Sequence, residues 1–168
     1  MEALVVVESV FGNTRAVADA VAAGLGGRMD VRTADVATAP DELHRVDLLV
    51  VGGPTHAFGM TRASTRRSAA EQSGGAVPVA DTGIREWLDR LPAGTCPAAT
   101  FDTRADRPRL PGSAAAAAAR RLRRQGHRVL ARPESFRVTG TRGPLVDGEL
   151  ERARQWGDAL AAQLVGAR

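Results

Sequence analysis

The chain reads as an α/β protein: a parallel sheet with helices packed on both faces. Three observations predict this. Short apolar, β-branched runs alternate with segments of helical spacing along all 168 residues. One of those runs, Val46-Asp47-Leu48-Leu49-Val50-Val51, is almost continuously apolar, as a central strand covered on both faces must be. Three predicted strand ends carry unusual loops, at 9–14, 54–59 and 102–107, and the carboxyl ends of strands are where such sheets bind ligands.

The elements follow in order. Ala3-Leu4-Val5-Val6-Val7-Glu8 is a β-branched first strand that breaks at once into Ser9-Val10-Phe11-Gly12-Asn13-Thr14. Val17, Val21 and Leu25 then recur every fourth residue, one face of a helix over about 13–25 that Gly26-Gly27 ends. Residues 29–33 alternate weakly, as a strand at or near a sheet edge does. Pro40-Asp41-Glu42-Leu43 predicts a short helical turn. The third strand, 46–51, runs into Gly52-Gly53-Pro54-Thr55. Residues 60–82 carry the least pattern, and so long a connection is expected to be functional, partly helical or mobile. Ile84, Trp87, Leu88 and Leu91 mark the next helical face, and 98–103 a fourth strand. An alanine-rich helix spans 112–125 and stops at Gly126. Residues 128–131 and 135–138 form a fifth strand interrupted at Pro133. The last helix covers about 147–165, with Leu150, Ala153, Gly157, Leu160, Ala161 and Leu164 on its inner face. With no repeat and no linker, a single domain over 1–168 is expected.

Composition removes several function classes. A hydrophobic fraction of 43% with 25% charged residues is that of a soluble globular protein, and no apolar run approaches the ~20 residues of a membrane span. Strand residues begin at position 3 with no basic lead-in, so no signal peptide is expected and the location is expected to be cytoplasmic. The one cysteine, Cys96, can form no internal disulfide and reads as a small hydrophobe before a strand rather than a redox centre. All 23 basic residues are arginine, against 19 acidic ones, for a formal net charge of +4. With 4% aromatic residues and no tyrosine there is no ladder for stacking bases, so no nucleic-acid partner is expected. No membrane partner is expected either.

The loops at the strand ends carry the chemistry. Ser9, Val10, Phe11, Gly12, Asn13 and Thr14 lie between a strand and a helix start, where free N–H groups and the helix dipole favour an anion, most simply a phosphate. The loop lacks the three spaced glycines of a dinucleotide fingerprint, and a chain without lysine cannot form a Walker loop. A plain helix cap by Ser9 or Asn13 is the alternative. After the third strand, Pro54, Thr55, His56, Phe58 and Gly59 offer an aromatic and an imidazole at a cleft position; a loop anchor and a surface histidine are the alternatives. His44, His56 and His127 fall on separate elements without cysteines at ligand spacing, so no metal site is expected.

With these loops the chain resembles the flavodoxin-like family, small FMN-binding electron carriers and related quinone reductases. The resemblance covers nearly the whole chain. It rests on the loop at 9–14, on Val50-Val51-Gly52-Gly53-Pro54-Thr55, on Phe101-Asp102-Thr103, and on Ser135-Phe136-Arg137-Val138-Thr139-Gly140 followed by Gly143-Pro144-Leu145. It implies a three-layer sandwich with a five-stranded parallel sheet of order 2-1-3-4-5, and FMN as cofactor. Ser9, Gly12, Asn13 and Thr14 would then hold the phosphate. Pro54, Thr55, His56, Phe58 and Gly59, with Asp102, Thr103 and Arg104, would line the flavin ring. The chain departs from the family where Phe11 replaces a usual hydroxyl, and in having no tyrosine. Trp87 and Trp156 fall on helices, which leaves Phe58 and His56 near the ring. Arg104, Arg107 and Arg109 bring positive charge to a loop that is usually acidic, which would favour an anionic reduced flavin and raise its potential.

The resemblance implies a redox protein, either an electron carrier or a small reductase; whether it is an enzyme stays open. Its partner would be a redox protein or a small quinone-like substrate, and the positive charge favours an acidic or anionic one. A flavodoxin-fold domain that has lost FMN and serves as a binding or regulatory module is the alternative. A hydrolase would have to pair Ser9 with His56, which nothing in the sequence brings together. A phospho-receiver needs an Asp after the third strand and a Lys after the fifth, and the chain has neither. Oligomeric state is not readable.

Overall fold

A computed structural model describes residues 1–56, 58–74, 81–108 and 111–166. Its elements are β1 (Glu2–Val7), α1 (Asn13–Leu25), β2 (Asp30–Asp35), β3 (Leu48–Pro54), α2 (Ala63–Gln72), α3 (Ile84–Arg90), β4 (Pro97–Ala105), α4 (Ala114–Arg124), β5 (Arg128–Val129), β6 (Glu134–Val138) and α5 (Glu149–Gly166). All strand pairs are parallel, in the order β2-β1-β3-β4-β5, with β6 also on β4. β5 pairs with Pro97 and Ala98, and β6 with the stretch from Phe101 to Ala105. They are two pieces of one fifth strand, broken where Pro133 offers no N–H to the ladder.

The near-continuous apolar runs fall where burial on both faces demands them. Every residue of β3 is buried, as are Ala3 through Val7 of β1, while β2, the edge strand, is half exposed. One core layer joins β1, β3, β4 and β6 to α1 and α5. The other joins the opposite face of the sheet to α3 and α4. Phe101, Phe136 and Trp156 form an edge-to-face triad with centroids 6.0–6.2 Å apart. Trp87 is fully buried and donates its indole N–H to the Pro40 carbonyl at 3.1 Å. Both tryptophans therefore serve the interior. Among the described residues no helix is long and apolar enough to cross a membrane.

Two expectations are corrected, at 40–43 and at Leu150, and the stretch 60–82 takes the partly helical form among those expected. Residues 36–47 are turns and bends with no helix, so 40–43 is not a helical turn. Four residues cannot offset the cost of nucleating a helix, and the Pro40 carbonyl is taken by Trp87. The weakly patterned stretch contains a ten-residue helix, α2, whose buried residues are Arg66, Ala69 and Ala70 rather than large hydrophobes. Leu150 is 47% exposed at the start of α5 and does not belong to its inner face, whereas Ala153, Gly157, Leu160, Ala161 and Leu164 do.

Candidate functional site

The loop after β1 is shaped by one glycine. Gly12 takes φ +88°, a left-handed conformation that costs other residues about 1–2 kcal/mol, and α1 starts at the next residue. Ser9 Oγ accepts the Arg15 N–H at 3.2 Å, so this serine satisfies one first-turn donor from outside the helix, whose N-cap is Gly12. Asn13 Nδ2 donates to the Arg142 carbonyl at 2.9 Å. Thr14 is buried and shares a 2.7 Å hydrogen bond with Thr103, tying the loop to the end of β4. The N–H groups of residues 10–14 donate to no acceptor among the described residues. Five consecutive unclaimed donors thus sit at the positive end of a 13-residue helix.

Beside them opens a cleft of about 330 Å³, within the range of small-molecule sites. Val10, Phe11, Asn13 and Thr14 form one end. Pro54, Thr55 and His56 come from the end of β3, and Thr103, Arg104 and Ala105 from the end of β4. Val138 ends β6, and Gly140 and Thr141 follow it. The remaining wall is α2, through Thr65, Ser68, Ala69 and Gln72. These four fall at i, i+3, i+4 and i+7, a helical stripe, but a small and polar one that hydrophobic periodicity does not register.

Nine of the sequence-derived residues therefore meet at one cleft: Val10, Phe11, Asn13, Thr14, Pro54, Thr55, His56, Thr103 and Arg104. Ser9, Gly12, Phe58, Gly59 and Asp102 do not line it. Asp102 is fully buried; its Oδ2 accepts from Thr55 Oγ1 at 2.9 Å, Ser113 Oγ at 2.6 Å and the Ala115 N–H at 3.0 Å. That makes it the hub that fixes the start of α4. Phe58 is 59% exposed with φ +71°. It sits in a turn closed by reciprocal backbone hydrogen bonds between His56 and Gly59, at 2.9 and 3.1 Å. Gly112 packs so tightly on the Phe58 backbone that a Cβ there would overlap the Phe58 carbonyl. Arg107 is 92% exposed and lies 3.8 Å from Asp106, and Arg109 falls outside the described residues.

Charge in this region is buried behind the cleft. Glu8, 4% exposed, accepts from Thr61 Oγ1 at 2.5 Å and from the Ile84 N–H at 2.8 Å. Burial pushes its carboxyl above the ordinary value, against those two hydrogen bonds and the Arg66 guanidinium. Arg66, 3% exposed, donates to Thr61 Oγ1 and Glu86 Oε2, each at 3.1 Å, and to the Asp81 carbonyl at 3.2 Å. Burial works on Glu86 too, but the Gly83 N–H and Arg66 outweigh it and hold the carboxyl low. Burial pushes His56 below the ordinary imidazole value, so it is neutral at neutral pH. At the other end of the sheet, burial pushes the Cys96 thiol up to about 11, away from the reactive thiolate.

No protein-family model matches this sequence, and no curated protein matches it. Solved structures do. A flavodoxin from the domain Archaea is 20% identical, superposes with a TM-score of 0.69, and is covered over 99% of its length by 98% of this chain. The fold is flavodoxin-like. Flavodoxin 1 from Bacillus cereus is 19% identical at TM-score 0.68, covering 100% of this chain and 99% of its own. The flavodiiron core from Synechocystis sp. PCC6803 is 16% identical at TM-score 0.66, where this flavodoxin-like chain corresponds to 37% of the larger one. The sheet order β2-β1-β3-β4-β5 is the one the sequence resemblance implied.

Proposed function

We propose that the chain binds FMN in this cleft and works as a flavodoxin-type redox protein, an electron carrier or a small reductase. The observation that carries the reading is the run of unclaimed amides at 10–14, at the positive end of α1 and beside the cleft. FMN, when bound, supplies the electron-transfer chemistry. The chain binds and orients. Backbone amides hold the phosphate, and the Thr14–Thr103 hydrogen bond keeps their loop in place. Pro54, Thr55 and His56 on one side, and Thr103 and Arg104 on the other, flank the ring. His56 presents a neutral imidazole there, and Arg104 favours negative charge on a reduced ligand. A formal net charge of +4 favours an acidic redox protein or an anionic, quinone-like substrate as partner.

One observation favours a second reading, a binding or regulatory module without flavin: Phe58 stands outside the cleft wall, leaving Phe11 as the aromatic that lines it. The visible absorption spectrum of the purified protein, before and after excess FMN, separates the two. Flavin bands that survive gel filtration support the redox reading. A spectrum that stays blank after loading overturns it in favour of the module.

A further inference from the structure

We propose that Arg142 is the cation that reads the phosphate in this cleft, and so sets a preference for a phosphorylated flavin over the unphosphorylated one. The inference rests on the flavin reading above. It starts from the chain between β6 and α5. The Thr139 N–H donates to the Pro144 carbonyl at 2.7 Å, and Val138 bridges Leu145, so 139–144 folds back on itself. Its tip is pinned to the first residue of α1. Asn13 Nδ2 holds the Arg142 carbonyl at 2.9 Å, and Gly143 takes φ +98°, a conformation that favours glycine, with its Cα packed against the Asn13 amide. The backbone of Arg142 is thereby fixed against the start of α1, where the unclaimed amides lie.

From that position the guanidinium lies over the Phe11 ring, 5.8 Å from its centroid, and donates to the carbonyl of Gln72, the last residue of α2. Phe11 and Gln72 both line the cleft, on different walls. A full positive charge therefore sits between two residues of opposite cleft walls, held at one end by a neutral carbonyl. A phosphate dianion competes well for it, because charge-assisted hydrogen bonds to guanidinium are about twice as strong as neutral ones and are frequently bidentate. The loop at 9–14 has no cation of its own, and Arg15, the next one along, pairs with Asp19 at 3.2 Å. Arg142 is exposed, so its replacement leaves the core intact.

The test is equilibrium titration of FMN and of riboflavin into the wild type, Arg142→Gln and Arg142→Lys, at low and high salt. Arg142→Gln should weaken FMN about tenfold, as loss of one charge-assisted contact does, and leave riboflavin within about twofold. Arg142→Lys should recover part of the loss, and Arg142→Gln should flatten the salt dependence of FMN binding. Equal weakening of both flavins would reduce Arg142 to a strap between α1 and α2 and overturn the inference, as would no change in either. Wild-type protein that binds neither flavin would remove the flavin reading and the inference together; wild type that binds FMN beside an unaltered Arg142→Gln removes the inference alone.

Discussion

The two long walls of the cleft are held by different physics. The loop at 9–14 is fixed by neutral hydrogen bonds, from Ser9 and Asn13 near the surface and from the buried Thr14 to Thr103. The α2 wall is fixed by charge in the interior, where Arg66 meets Thr61, Glu86 and Asp81, and Glu8 closes the network against Thr61 and Ile84. A neutral hydrogen bond contributes about 1 kcal/mol net, whereas leaving a buried charge without its partner costs several times that. The loop wall should tolerate single replacements; the α2 wall should not.

The largest expected effect is therefore Arg66→Met. It leaves Glu8 and Glu86 without their guanidinium and should lower unfolding free energy by about 3 kcal/mol in urea denaturation. A loss under about 1 kcal/mol would erase the contrast between the walls. Gly112→Ala comes next. Its φ of +88° and its contact with the Phe58 backbone combine strain with overlap, for a loss of about 2 kcal/mol by the same measurement. Gly12→Ala sharpens the comparison from the other side. It has the same φ of +88° but nothing within 4 Å of the added carbon, so strain alone acts and about 1 kcal/mol is expected. Equal losses at the two glycines would mean that the Phe58 contact contributes nothing.

The smallest effect is a pH slope. The Glu8 carboxyl is raised above 4.5 in the folded state, so its contribution to stability is complete below 4.5 and is lost as pH rises through the raised value. Glu8→Gln removes that titration. The stability of wild type minus that of Glu8→Gln should therefore fall between acid and neutral pH, measured by urea unfolding across the range. A constant difference would show that Glu8 titrates as it does in the unfolded chain.

The same contrast explains what could be read in advance. β1, α1, β3, α4 and α5 announce themselves through local apolar pattern, because each buries a face that its own spacing defines. So does the loop at 9–14, where a strand must turn into a helix. α2 does not: its buried side chains are one arginine and two alanines, and what holds it are partners far along the chain. The position of Phe58 is set by Gly112 and that of Asn13 by the 142–143 backbone, again at long range. The family resemblance implies a ring contact for Asp102, but its Oδ2 fixes the start of α4 instead, a role that depends on where Ser113 and Ala115 arrive.

The broken fifth strand has a consequence for crowded solutions. β5 offers two residues at the rim of the sheet, and Pro133 interrupts the line before β6 begins. A strand from a second molecule needs a run of free donors and acceptors to add itself; β5 is too short to offer one, and along β6 the Arg137 N–H and carbonyl are taken by Glu149 and the Val146 N–H while Val138 bridges Leu145. At the opposite rim, β2 presents Asp30, Arg32 and Asp35, and charges there discourage the same addition. Both borders are thus protected against edge-to-edge aggregation, one by interruption and the other by charge.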